Sequence, residues 1–94
     1  MPLHRSAAKA WRQSEKRRLR NKALKTRIKT ATKKFLKVLE EGDLAKAEEA
    51  FREAQSLIQR AASKGTLHWR TAARKISRLA AKLNARKATL SAQA

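Results

Sequence analysis

Residues 35–51 read Phe-Leu-Lys-Val-Leu-Glu-Glu-Gly-Asp-Leu-Ala-Lys-Ala-Glu-Glu-Ala-Phe, and the Gly42-Asp43 step in the middle decides the fold. Glycine enters the left-handed backbone region without steric cost, so it readily ends a helix. Aspartate carries a short acceptor side chain that caps the first free amides of the next one. Apolar residues recur at steps of three and four on both sides of the step. Leu24, Ile28, Ala31, Phe35 and Val38 precede it, and Leu44, Ala47, Phe51, Ala54, Ile58 and Ala61 follow it. Each set forms one face of a helix. A connection this short favours antiparallel neighbours.

The same signal returns at Gly65-Thr66, where Thr66 is the candidate cap. Beyond it Trp69, Ala73, Ile76, Ala80 and Leu83 make a third stripe. Nothing alternates in the manner of a strand. The fold class is therefore all-α, a three-helix up-down-up bundle forming a single domain over 1–94. The helices are expected over about 6–40, 43–64 and 67–87. Phe35, Phe51 and Trp69 are assigned to the core. With 94 residues and no cysteine, the core is small and has no disulfide to support it, so a bound partner is expected to add stability.

The first helix outruns its neighbours. At 1.5 Å per residue it would be roughly 50 Å long, while its apolar stripe is clear only from Leu24 onward. Before Leu24, the basic residues Arg12, Lys16, Arg17, Arg18, Arg20 and Lys22 are spread around the helix. That half is expected to project beyond the bundle, and to fray in isolation because like charges four apart oppose helix formation.

Charge distribution points to the partner. The chain has 25 Lys plus Arg against 7 Asp plus Glu, a formal net charge of +18. Residues 1–41 carry a net +11, residues 42–64 are neutral, and residues 65–94 carry +7 with no acidic residue. Arg18, Lys22, Lys25, Lys29, Lys33 and Lys37 form a row on the first helix, placed roughly opposite the apolar stripe. Arg70, Arg74, Arg78, Lys82 and Arg86 form a second row on the third helix. Rows of one sign are unfavourable alone but fit closely spaced phosphates, where each contact releases a condensed counterion. Arginine can also grip a phosphate through two parallel hydrogen bonds.

Other readings fit less well. A membrane-surface helix needs bulky apolar residues opposite its charge, and the basic half of the first helix has mostly alanine and polar residues there. No run approaches the roughly 20 apolar residues of a membrane span, and no secretory leader is recognised. A DNA-binding module would ordinarily show a compact recognition helix or a dimerising zipper. A nucleoid role and a module for acidic proteins stay open, because composition and spacing do not separate RNA from DNA. Enzymatic readings lack parts: there is no phosphate-binding glycine loop, and His4 and His68 have no second type of metal ligand at useful spacing. Glu40, Glu41 and Asp43 read as solvated charge at a helix end. No catalytic, metal or cofactor site is expected. His68, at a helix start, reads as a capping, packing or RNA-contacting residue.

Two stretches carry a family resemblance. One is Gln13-Ser14-Glu15-Lys16-Arg17-Arg18-Leu19-Arg20-Asn21-Lys22, followed by Lys25-Thr26, Lys29-Thr30 and Lys33-Lys34. The other is Lys64-Gly65-Thr66-Leu67-His68, then Ala72-Ala73-Arg74-Lys75 and Ser77-Arg78-Leu79. Together they resemble the family of the twentieth small-subunit ribosomal protein of bacteria, over nearly the whole chain. The second stretch is the more specific, since Lys-Arg runs occur in many basic proteins. The resemblance implies a three-helix bundle with a long first helix. It also implies a monomer, cytoplasmic and ribosome-associated, that binds 16S ribosomal RNA and helps it fold during subunit assembly, with neighbouring ribosomal proteins as further contacts. Carried over by position, the RNA-facing residues are Lys16, Arg17, Arg18, Asn21, Lys22, Lys25, Lys29, Lys33, His68, Arg74, Lys75 and Arg78; charge adds Arg12, Arg20 and Arg70. The chain departs from the family after His68, where Lys-Asn is usual and Trp69-Arg70 stands here. Trp11 is also unusual at its position, and the opening Met-Pro-Leu-His-Arg differs, although Arg5-Ser6-Ala7 keeps a familiar step. Trp69 reads as a core residue by its place in the stripe, with a base-stacking platform as the alternative.

Overall fold

The computed structural model describes residues 2–93, with side chains described over 6–92; the readings of His4 and Arg5 lie outside those side chains. Three helices follow one another: α1 over Pro2–Glu41, α2 over Leu44–Ser63 and α3 over Trp69–Gln93. They form the expected all-α bundle. The first junction is built as the sequence dictates. Gly42 has φ +83°, and the Asp43 side chain accepts a hydrogen bond from the Lys46 amide at 3.2 Å.

The second junction is built differently. Gly65 takes φ +80°, but Thr66 does not cap α3. Its hydroxyl donates instead to Asn21 Oδ1 on α1, at 2.9 Å. His68 is the cap: its carbonyl accepts from the Ala72 amide at 3.0 Å, and its Nδ1 accepts from the Arg70 amide at 3.1 Å. The third helix thus starts two residues later than expected and runs to Gln93. The first reaches back to Pro2.

The core holds Leu24, Ile28, Ala31, Phe35 and Leu39 from α1, with Ala47, Ala50, Ala54, Leu57, Ile58 and Ala61 from α2. α3 adds Ala72, Leu79 and Leu83, with Ile76 partly buried. Small alanines on α2 let its backbone approach both neighbours. Phe35 and Ile58 are fully enclosed, and Phe35 meets the half-buried Phe51 with ring centroids 5.9 Å apart.

The stripe expected on α3 is corrected. Trp69 is 65% exposed and Ala73 is exposed, while Ala72 and Leu79 are buried. The two candidate stripes share Ile76 and Leu83, and the face that also carries Ala72 and Leu79 is the one turned to the core. Register explains Trp69 itself. α2 and α3 run antiparallel, with Phe51 and Gln55 facing Ala80 and Leu83 and with Glu48 paired to Lys87. Followed back along α3, that register brings Trp69 level with the turn after Ser63, where α2 has ended.

Among the described side chains of α1, Leu24 is the first that is buried; every residue from Ser6 to Ala23 is exposed except the half-buried Glu15. The first half of the helix therefore projects. The molecule measures 73 × 21 × 13 Å with a radius of gyration of 18.5 Å, against about 12 Å for a compact chain of this size.

Candidate nucleic-acid interface

The α1 row shares a groove between α1 and α3 with Lys75, a cation of α3 that lies outside the row on that helix. Lys25, Lys29 and Lys33 border it from α1, Lys75 from α3, and Ile28, Thr32 and Leu67 line the rest. Lys25, Lys29 and Lys33 thus border the apolar stripe on the side that faces α3. The placement follows from helix geometry: a residue one position beyond a stripe member sits about 100° round the axis, so Lys25 and Lys29 flank Leu24 and Ile28. None of these four lysines is in an ion pair with a described acidic group. Arg18 and Lys22 continue the row with Lys25, Thr26 and Lys29 around a shallow concavity. Arg18 also reaches Glu15 at 3.0 Å. The hydrogen bond and the charge of Glu15 raise the pKa of its guanidinium.

A second concentration of positive charge lies where α1 passes the end of α2. Arg17, Arg20, Asn21 and Arg27 of α1 surround a concavity with Arg60, Lys64 and Thr66. Arg60 and Lys64 do not stand out in the sequence, because α2 is neutral as a whole, and Arg27 does not because it lies outside the α1 row. The neutrality conceals an axial separation. Asp43, Glu48, Glu49 and Glu53 occupy its first half, while its second half holds Arg60 and Lys64 and no acid. Counting charge by helical turn, instead of by helix, would have found it.

On α3, Arg70, Arg74 and Arg78 are exposed, as are Lys75 and Lys82. Arg86 leaves the expected row. It is half-buried against Leu36, Leu39 and Glu40, its Nη2 lies 3.5 Å from the Glu40 carbonyl oxygen, and its Nε is buried without a partner. It braces the end of α1. Asn21 is likewise partly committed, since its Oδ1 accepts from Thr66. Arg12 and Lys16 stand on the projecting half of α1, exposed to solvent. His68 is exposed at the start of α3 as its cap.

Among the described residues no group of three or more His, Cys, Asp or Glu side chains could hold a metal ion. No helix among the described residues is long and apolar enough to cross a membrane. The geometry is that of an extended cationic surface.

The family model described as ribosomal protein S20 matches residues 2–84. The chain belongs to the ribosomal protein S20 family. Relatives named small ribosomal subunit protein bS20 include one from Desulfovibrio desulfuricans, 49% identical over 84 residues, which are 89% of this chain and 94% of that protein. Another, from Persephonella marina, is 48% identical over 87 residues, 93% and 95% of the two chains. A third, from Thermomicrobium roseum, is 46% identical over 85 residues, 90% and 86%. S20 proteins are structural components of the small ribosomal subunit and not enzymes, so ribosome association extends to this chain. The matched span includes both the projecting half of α1 and the basic part of α3.

Proposed function

We propose that this S20 chain binds 16S ribosomal RNA directly through phosphate-backbone and shape contacts, and that it helps fold the RNA during subunit assembly. One observation carries the reading: Lys25, Lys29 and Lys33 of α1 share a groove with Lys75 of α3, all free of ion pairs with described acids. Cations from two helices held this close repel one another, and polyanionic phosphate removes the repulsion. The deep, narrow major groove of A-form RNA resists side-chain reading, so contacts to the backbone dominate. Arg17, Arg20, Arg27, Arg60 and Lys64 offer a second cationic concavity bordered by α1 and α2. With two such surfaces the rod suits a place between RNA segments, where it neutralises phosphates on each and fixes their relative geometry.

The test is a triple substitution, Lys25→Gln, Lys29→Gln and Lys33→Gln. All three side chains are exposed, so helicity should be preserved. The salt dependence of 16S RNA binding should fall by about one logarithmic slope unit per contact removed. An unchanged slope would remove the groove from the interface.

A further inference from the structure

Most of the cationic surface is suited to phosphate, but one place on it is suited to something else. Trp69 is 65% exposed and yet held in position. It is the first residue of α3, directly after the cap His68, whose carbonyl and Nδ1 are both engaged by backbone amides of α3. The imidazole of His68 stacks beside the indole, with centroids 5.7 Å apart and planes 29° from parallel. The Arg70 guanidinium lies 5.3 Å from the ring centre. Arg74, Lys75 and Arg78 follow on the same helix, and residues 65–94 contain no acidic residue at all. Trp11 is equally exposed but stacks on no ring or guanidinium among the described contacts. An exposed indole with an imidazole stacked beside it and a flexible guanidinium over its ring, within a field of positive charge, offers a π surface to an anionic chain once the guanidinium turns from the ring to a phosphate.

We infer that Trp69, flanked by His68 and Arg70, is a stacking platform for one unpaired nucleobase of the bound RNA. The inference rests on the RNA-binding reading above and adds a second class of contact to it. Every base has a π face, so stacking on an aromatic side chain tolerates any sequence. A base inside a duplex has both faces covered by its neighbours, so the platform selects a loop, bulge or strand end. Arg70 supplies a cation for the phosphate beside that base. In the neutral ring Nδ1 of His68 accepts a hydrogen bond, which leaves Nε2–H as a donor for a base edge or ribose oxygen.

The chain has two tryptophans, so Trp11→Phe leaves Trp69 as the sole indole reporter. In that background a single-stranded RNA oligonucleotide should quench the indole emission. Inorganic polyphosphate at matched phosphate concentration should bind without comparable quenching. Adding Trp69→Ala should weaken single-strand binding by about 5- to 150-fold, the loss expected for one stacked base. Trp69→Phe should recover part of it, and polyphosphate binding should be unchanged by either. A Trp69→Ala chain, folded by circular dichroism, that binds the oligonucleotide as before overturns the platform; so does an equal loss toward both polyanions. Selectivity of the Trp11→Phe chain for 16S RNA over unrelated duplex RNA is measured alongside. If that selectivity fails while the quench and the Trp69→Ala loss persist, the ribosomal site falls and the platform stands.

Discussion

Phe35 is, with Ile58, one of two large side chains fully enclosed in the core, and it packs on Phe51 where α1 meets α2. Phe35→Ala should cost about 3–5 kcal/mol, enough to abolish the cooperative thermal transition of a chain this small, as circular dichroism would show. At the surface, Glu48 has its carboxyl held below the ordinary carboxylate range, first by the hydrogen bond from Lys87 and then by that charge. A lowered folded-state value adds stability above the unfolded value and loses it as pH falls through the lowered one. Glu48→Gln should therefore be slightly less stable than the parent in urea at neutral pH. The difference should begin to shrink near about pH 4.3, the ordinary glutamate value, and close only once the pH has fallen below the lowered folded-state value. A gap that persists in acid would assign the effect to packing instead. Phe35, Leu24 and Ile28 were legible as core because no competing stripe exists on α1. Trp69 was not, because Ile76 and Leu83 belong to two overlapping stripes and only the end of α2 decides between them. Arg86 looked like one more phosphate ligand, since nothing in its spacing shows that it folds back on the Glu40 carbonyl.

At the scale of elements, the junctions set the topology. Gly42 holds φ +83°, and a Cβ there would meet Arg86 Nη2 at an ordinary 3.7 Å. Gly42→Ala should thus cost only the backbone strain of the left-handed region, about 1–2 kcal/mol, read as a lower denaturation midpoint. The second junction is fixed by the Thr66–Asn21 hydrogen bond between loop and α1. A double-mutant cycle of Thr66→Val and Asn21→Ala should show a coupling of about 0.5–1.5 kcal/mol; zero coupling would mean that the loop is held by Leu67 alone. Glycine and Asp43 signalled both turns in the sequence. The two-residue delay of α3 was hidden because Thr66, His68 and Trp69 all fit near a helix start. Only the neighbouring α1 recruits the threonine away.

Across the whole molecule, charge is separated along the rod. Of seven acidic residues, all but Glu15 lie between Glu40 and Glu53, around the first turn. The opposite end holds Arg12, Lys16, Arg17, Arg20, Arg60 and Lys64 with Glu15 as the only acid nearby in sequence. Net charge by segment made the basic character of α1 and α3 legible at once. That their cations share grooves required the packing, because the angle between two helices is not written in either one. The central claim is that this surface recognises one folded RNA site. It is tested most directly by offering the protein labelled 16S RNA against excess unrelated duplex RNA and duplex DNA, at about 0.15 M and about 0.3 M salt, where backbone contacts alone weaken steeply. The account predicts that 16S RNA retains the protein against both competitors at the higher salt. Equal competition by duplex DNA would contradict it, and would make the rod a general binder of nucleic acid.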